Sequence, residues 1–227
     1  MPFADLADRV AGIRERIEAA VTRGGHGQTV RLIAVTKTHG PEAVDAAWHV
    51  GLHDVGENRV QEALRKMEGV QSPVRWHLIG HLQRNKVSAL DRFDLLHSLD
   101  RARLTDAVHA FGIDRGRPVD ALLQVNVAGE ETKGGYALGD VPAEAERLLE
   151  LHGVRITGVM TMAPFDADEG VLRTVFAGAR RARELLIGAG HPAAELSMGM
   201  SNDYEIAVEE GATMVRLGTV LFGARAA

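Results

Sequence analysis

Residues 30–37 read Val-Arg-Leu-Ile-Ala-Val-Thr-Lys, a short and nearly continuous apolar run that ends in a hydroxyl and an amine. A run of this length, with a Gly-rich loop at 23–28 before it, is typical of a buried parallel strand. A helix is predicted directly after it, over 41–50, because Pro41 suits the first turn of a helix. The chain therefore begins with a strand followed by a helix.

The same alternation continues through the rest of the chain. Further strands are predicted at 54–56, 75–79, 95–97, 119–127, 155–160, 195–197 and 214–217. Helices are predicted between them near 59–67, 85–90, 101–111, 141–151, 170–189 and 203–210. An amphipathic helix precedes the first strand, with Leu6, Val10, Ile13, Ile17 and Val21 at helical spacing. Eight strands with no break in composition favour a single (β/α)8 TIM-type barrel with an additional N-terminal helix, forming one domain over 1–227.

An open doubly wound sheet is the alternative, and the position of the polar residues decides against it. Candidate binding or catalytic residues lie at or just after the ends of the predicted strands. They are Lys37, Glu57, Asn58, Gly80, His81, Asp100, Asn126, Met160, Thr161, 198–201 and 218–219. In a barrel these positions converge on one mouth, where active sites are built.

Composition excludes several classes of function. The 227 residues carry a net charge of -5 and no cysteine, so disulfides, thiolate nucleophiles and Cys-based zinc sites are absent. No basic stripe with aromatics suggests a nucleic-acid groove. No apolar run approaches the ~20 residues of a membrane span, and the N-terminus does not resemble a signal peptide. We therefore expect a soluble cytoplasmic protein.

Lys37 is the first candidate for covalent chemistry. A lysine at the end of an apolar strand is expected to be partly desolvated, which lowers its pKa and frees its amine for a Schiff base. The alternative is a lysine that extends to solvent or pairs with a carboxylate. Position alone does not decide between them.

The last two strands are followed by Gly-containing turns that suit a phosphate. Gly199 and Gly218 allow a ligand close to the backbone, and Ser201 and Thr219 add hydroxyl donors near helix starts. The loops after strands seven and eight form the common phosphate site of such barrels. The alternative is that these glycines only form turns. Arg216, inside an apolar strand, is either an ion-paired core residue or a ligand contact.

Other polar residues are weaker candidates. The pairs His49/His53 and His77/His81 have four-residue spacing but no obvious third ligand, so no metal site is expected. Glu57 and Asp203 could act as acid or base, although carboxylates beside helix starts are more often caps.

The motifs together resemble a known family. The stretches that carry the resemblance are Ala34–Thr38, Gly56–Glu62, Trp76–Lys86, His97–Arg101, Gln124–Asn126, Lys133–Gly135, Gly158–Met162, Leu196–Asp203 and Met214–Arg225. In this order they resemble the YggS/PROSC family of pyridoxal phosphate homeostasis proteins, a one-domain relative of the barrel half of alanine racemases. The resemblance covers nearly the whole chain after the first helix.

The resemblance implies a residue-by-residue assignment of a pyridoxal 5′-phosphate (PLP) site. PLP would form a Schiff base with Lys37, and Arg216 would face the pyridine nitrogen. Asn58 and Met160 would lie near the cofactor, and the phosphate donors would be Ser201, Gly218 and Thr219. His81 departs from the family, where a proline is expected, and this affects the shape of the local loop.

The implied role is intracellular PLP (vitamin B6) homeostasis by a non-catalytic carrier, with PLP-dependent apo-enzymes as candidate recipients. The alternative is a PLP-dependent amino-acid racemase, and a third candidate is a barrel for another phosphorylated metabolite. A racemase needs a second acid/base, commonly a tyrosine, and only Tyr136 and Tyr204 exist here. A monomer is expected. A role for Lys86 or Lys133 in transfer stays open.

Overall fold

The barrel is formed by eight parallel strands in the computed structural model, which describes residues 3–130 and 133–223. The strands are β1 Arg31–Val35, β2 Asp54–Glu57, β3 Arg75–Leu78, β4 Leu95–Leu99, β5 Val119–Gln124, β6 Val154–Met160, β7 Glu195–Ser197 and β8 Met214–Leu217. They follow chain order around the barrel, which closes by pairing β8 with β1. The predicted (β/α)8 barrel is confirmed.

Helices cover the outside of the sheet. They are α1 Leu6–Gly24, α2 Pro41–His49, α3 Val60–Gly69, α4 Ala102–Asp114, α5 Val141–Leu149, α6 Glu169–Ala189, α7 Tyr204–Glu209 and α8 Thr219–Phe222. Two 3-10 segments occupy Arg84–Arg92 and Leu138–Asp140. The predicted N-terminal helix is present as α1, which buries its apolar face. Among the described residues, no helix is long and apolar enough to cross a membrane.

Most strand residues are buried on both faces, which explains why the strands are nearly continuous apolar runs. All residues of β2, β4 and β8 are buried. One large hydrophobic cluster packs the helices onto the sheet. A smaller one consists of Ile33, Leu95, Leu122, Met160 and Met214.

Closure of the barrel brings its first and last strands together. Arg31 pairs with Met214 and Ala34 with Leu217, so β1 and β8 run side by side. The turn that carries Lys37 therefore lies next to Gly218 and Thr219. On its other side β1 pairs with β2, which ends one residue before Asn58.

A few ends and elements predicted from the sequence differ from the structure. The predicted strand 119–127 ends at Gln124, because the backbone N–H of Asn126 is donated to the Tyr136 oxygen and not to β6. The 3-10 segment at 138–140 and α8 were not predicted. Both are too short for hydrophobic periodicity to indicate them. The motif residue Arg225 lies outside the described residues.

Candidate functional site

The predicted site residues gather at the carboxyl ends of the strands. Lys37 lies two residues beyond β1, Asn58 directly after β2, and Met160 at the end of β6. Ser201 follows β7, Arg216 is within β8, and Gly218 and Thr219 follow β8. These ends share one face of the barrel, so the residues surround a common mouth.

Lys37 is exposed in a turn at this mouth. The expectation that it is partly desolvated is therefore wrong for the protein alone. The strand ends at Val35 and Thr36 is still buried, but the chain enters a turn at Lys37, whose side chain is exposed. Its amine is accessible to a ligand that enters from solvent.

A second lysine, which sequence reasoning missed, lies buried beneath this turn. Lys66 on α3 has only 4% of its side chain exposed and donates to the backbone oxygen of Thr36 at 2.8 Å. It also forms an ion pair with Glu57, which is fully buried. Lys66 falls three residues after Ala63 and six after Val60 on the buried stripe of α3, and a charge in that stripe was the available signal.

Glu57 is therefore neither a cap nor an exposed acid. Its Oε1 accepts from the Thr36 hydroxyl at 2.6 Å and from Lys66, whereas its buried Oε2 has no partner among the described residues. Burial raises the pKa of Glu57, and the hydrogen bonds from Lys66 and Thr36 only partly oppose this.

Arg216 crosses the interior of the barrel below the mouth. Its Nη1 donates to Ser197 Oγ at 2.6 Å and its Nη2 to the Thr161 backbone oxygen at 2.9 Å. No carboxylate pairs with it among the described residues, so the ion-paired alternative is not what the structure contains. Burial lowers its pKa to about 10, which leaves it cationic at neutral pH. A buried cation with unused donors suits an acceptor placed above it.

Hydrogen bonds continue from Arg216 through the barrel to its opposite end. His97 Nδ1 lies 2.9 Å from Ser197 Oγ, and His97 Nε2 lies 2.9 Å from His77 Nδ1. His77 Nε2 lies 2.9 Å from Asp54 Oδ1. Because β4 and β7 are not neighbours, the contact between His97 and Ser197 must span the interior.

The chemistry of the two ends fixes the direction of the terminal bonds. A guanidinium only donates and a carboxylate only accepts. Arg216 therefore donates to Ser197, and His77 Nε2 donates to Asp54, while His97 joins Ser197 to His77. We call this series the interior chain.

Burial and neighbouring groups shift the pKa values of two members of the interior chain. Burial, reinforced by nearby positive charges, holds the pKa of His97 well below its usual range. Burial opposes ionisation of Asp54, but hydrogen bonds from Arg75 and His77 outweigh it and lower the pKa of that carboxyl. Arg75 forms a two-pronged ion pair with Asp54 at 2.8 and 2.6 Å.

The turns after β7 and β8 form the candidate phosphate region. Gly199 has a φ of +92°, and a Cβ there would lie 2.7 Å from Ala207 Cβ, so its glycine is explained by the turn and by packing on α7. Gly218 has a φ of -122°, and its nearest neighbour is the Val35 oxygen, 3.3 Å from where a Cβ would be. Ser201 is half-buried and Thr219 exposed. Asp203 accepts from the Met200 backbone at 2.6 Å, so it organises the turn.

The remaining rim residues contact one another. His81 is exposed, and its Nδ1 lies 3.1 Å from Asp100 Oδ2, so this departure from the expected proline adds a polar contact to the rim. Lys133 Nζ donates to Glu130 at 2.6 Å and to the Ala163 oxygen at 3.1 Å. It joins the loops that follow β5 and β6.

Neither tyrosine offers a free acid/base group at the mouth. Tyr136 OH donates to Glu144 at 2.8 Å and lies 3.1 Å from Thr105 Oγ1 on α4, and burial raises its pKa. Tyr204 is 3% exposed on α7, and Arg16 lies over its ring. Both rings contribute to packing outside the barrel.

The histidines of the two spaced pairs have different surroundings. His77 faces the interior chain, whereas His81 lies at the rim, and the His53 ring packs on Trp48. Among the described residues, no three metal-binding side chains come together. A cavity of about 640 Å³ lies between α1 and the first residues of β1 and β2, far from the mouth and from the predicted residues.

Comparison with known proteins places this geometry in a family. Residues 9–226 match the alanine racemase N-terminal domain. A pyridoxal phosphate homeostasis protein of Pseudomonas aeruginosa is 42% identical over 226 residues, covering 98% of this chain and 97% of the relative. One of Aquifex aeolicus is 41% identical over 225 residues, covering 97% and 99%. The chain belongs to the pyridoxal phosphate homeostasis protein family.

Solved structures agree with this family membership. PipY of Synechococcus elongatus, solved with PLP bound, is similar at 37% identity with a TM-score of 0.84, covering 96% of this chain and 100% of that one. Alanine racemase of Corynebacterium glutamicum is 14% identical with a TM-score of 0.74, covering 99% of this chain and 62% of that one. The racemase likeness concerns the fold alone.

Proposed function

We propose that this chain binds PLP as a Schiff base on Lys37 and serves intracellular PLP homeostasis without catalytic turnover. The observation that carries the proposal is the exposed Lys37 at the end of β1, beside the turns after β8. The family relatives are named for PLP homeostasis, and PipY was solved with PLP. PLP binding by this member of the family follows from both.

The donor set of the mouth fits each part of PLP. The amine of Lys37 matches the aldehyde carbon. The buried guanidinium of Arg216 has unused donors for the ring nitrogen. Asn58 and Met160 belong to the strand ends on either side and would line the ring. When bound, PLP supplies an aldehyde for reversible imine formation and a ring that withdraws electrons.

Ser201, Gly218 and Thr219 would hold the phosphate. A phosphate accepts several hydrogen bonds, and hydroxyls and backbone N–H groups near short helix starts donate them. Gly218 has no side chain, so a charged oxygen can approach its backbone closely. The residue assignment remains a proposal.

A carrier is favoured over a racemase by what the mouth offers. Both tyrosines are engaged in packing on outer helices, so neither is positioned as a second base. Lys37 is accessible to solvent, and an open site favours exchange of the cofactor over water-excluded chemistry.

We further propose that the protein acts as a single-domain monomer in the cytoplasm, with PLP-dependent apo-enzymes as recipients. A net charge of -5 disfavours nucleic acid as a partner. We propose no membrane partner.

The test is an absorbance spectrum of the purified protein before and after borohydride reduction, with the modified peptide mapped. Lysine occurs at only four positions, 37, 66, 86 and 133, so the map is unambiguous. We expect a yellow protein with the pyridoxyl group on Lys37, and a Lys37→Ala protein without that spectrum. An unchanged spectrum in Lys37→Ala would contradict the assignment.

A further inference from the structure

The turn that carries Lys37 is held from both sides by buried or half-buried charged groups. Before the lysine, the Thr36 oxygen accepts from Lys66 at 2.8 Å, and the Thr36 hydroxyl donates to Glu57 at 2.6 Å. After it, the Thr38 backbone N–H donates to Glu62 Oε1 at 2.6 Å. The residues on each side of Lys37 are therefore fixed.

The turn also contains an unfavourable backbone conformation. Thr38 has a φ of +70°, and apart from Phe3 it is the only non-glycine residue with a positive φ in the described chain. A β-branched residue rarely adopts this region, so surrounding contacts must compensate for its cost. The hydrogen bond from Thr38 to Glu62 is such a contact.

The charged groups beneath the turn contact each other as well. Lys66 pairs with the fully buried Glu57 and lies 3.8 Å from Glu62 Oε1. A buried ion pair contributes little net stability compared with apolar packing, and its best-attested use is to specify one geometry. Here Lys66 binds the backbone oxygen of Thr36 and Glu57 binds its hydroxyl. Glu62 binds the backbone N–H of Thr38.

We propose that Glu57, Lys66 and Glu62 form a positioning cluster that holds the strained Thr36–Thr38 turn and so presents the Lys37 amine at the mouth. None of the three touches the reacting atoms, and their effect passes through the turn. The proposal rests on the proposed function for the ligand that Lys37 receives, but not for the conformation of the turn.

The first experiment measures the turn in protein without PLP, by hydrogen exchange of the amides at 36–39. Lys66→Met removes the buried cation, and Arg65→Met removes an exposed cation from the adjacent position of α3 as the control. We expect exchange in the turn to accelerate by about ten-fold or more in Lys66→Met only. Equal exchange in both variants would overturn the proposal.

The second experiment measures how fast added PLP forms the imine, followed by absorbance. Glu62→Ala removes the acceptor for Thr38, and Glu68→Ala, on an exposed position of the same helix, is the control. We expect imine formation to slow by about ten-fold or more in Glu62→Ala, because a displaced amine is less often in reach of the aldehyde. Glu68→Ala should match the wild type.

Rescue of the imine-formation rate distinguishes a loss of positioning from a general loss of structure. Thr38→Gly accepts the positive φ without strain, so adding it to Glu62→Ala should restore the rate to within about two-fold of Thr38→Gly alone. Glu62→Gln keeps an oxygen acceptor for Thr38 and should remain near the wild type. If Thr38→Gly rescues nothing and Glu62→Gln is as slow as Glu62→Ala, the cluster has a different role.

Failure of this inference is distinct from failure of the proposed function. If wild-type protein forms no imine on Lys37, the proposed function fails, whereas the exchange experiment still tests the turn. If Lys66→Met does not fold, as judged by circular dichroism, the Glu62 and Thr38 variants decide the question.

Discussion

At the scale of single residues, Thr219 provides a test of the phosphate assignment. A hydrogen bond from a hydroxyl to a charged group is worth about 1.5 kcal/mol or more, so Thr219→Ala should weaken PLP binding roughly ten-fold. Pyridoxal without the phosphate should bind far more weakly to the wild type, and its affinity should not respond to the substitution. Titration of both compounds by absorbance checks this. Equal affinity of the wild type for pyridoxal and PLP would contradict a phosphate site.

Gly218 should be the more sensitive position of the two. A Cβ at Gly218 would lie 3.3 Å from the Val35 oxygen, so the branched side chain in Gly218→Val has little room beside β1. The valine would also cover the backbone donors, which no other group can replace. We expect Gly218→Val to reduce PLP affinity more than Thr219→Ala, measured in the same titration. The opposite order would indicate that hydroxyls hold the phosphate without the backbone.

The turn after β7 contains Gly199, and the contribution of this glycine can be tested by measuring the stability of the protein without PLP. Its φ of +92° and a Cβ contact of 2.7 Å to Ala207 predict that Gly199→Ala lowers the free energy of unfolding by about 1–3 kcal/mol. Gly188→Ala is the control, because Gly188 lies in α6 with nothing within 4 Å of an added Cβ. That variant should gain up to about 1 kcal/mol. Urea unfolding of both proteins measures the difference.

At the scale of elements, the interior chain links β2, β3, β4, β7 and β8 and should control stability against acid. The pKa of His97 is lower in the folded protein than the ~6.5 of an unfolded chain. As pH falls below about 6.5, the unfolded chain therefore takes up a proton that the folded protein does not. Stability contributed by this group is present above pH 6.5 and is lost as pH falls.

The expected effect is about half a proton at pH 6.5 and approaches one proton, or about 1.4 kcal/mol of unfolding free energy per pH unit, about one pH unit lower. His97→Gln should remove that slope just below pH 6.5, although the variant is less stable at pH 7. His152→Gln, on an exposed loop before β6, should keep the wild-type slope. Urea unfolding at pH 7.0, 6.5, 6.0 and 5.5 gives the slopes. An unchanged slope in His97→Gln would mean that His97 is charged in the folded state.

At the scale of the whole molecule, we expect no meaningful racemase or transaminase turnover. A guanidinium at the ring nitrogen disfavours protonation of that nitrogen, because two positive charges in a partly desolvated site repel. The ring is then a weaker electron sink. A two-base racemase needs a second acid/base, whereas Tyr136 donates to Glu144 and Tyr204 is buried on α7.

The measurement is incubation of PLP-loaded protein with L-alanine and other L-amino acids in deuterated water. Both the D-isomer and exchange at Cα are followed. Turnover on the order of one per second or faster would contradict the carrier proposal and support the racemase alternative. Loss of that turnover in Lys37→Ala would then assign it to the same lysine.

The barrel and its mouth could be predicted because strand and helix periods alternate along the chain, and because strand ends converge in a closed parallel sheet. The surroundings of individual side chains could not. The exposure of Lys37 depends on where the backbone turns after Val35, and the burial of Lys66 depends on how α3 rotates against the sheet. The interior chain joins residues from strands that are distant in sequence, so no local pattern indicates it.

Closure of the barrel between β1 and β8 has a consequence for biosynthesis. Lys37 is made early, whereas Arg216, Gly218 and Thr219 are made about 180 residues later. A nascent chain that has not yet reached β8 would carry the Lys37 amine without the Arg216 guanidinium or the turn after β8, and β1 would pair with β2 alone. On the proposed site, tight loading with PLP would therefore begin only after β8 has been made, and the cofactor would select for chains that contain it.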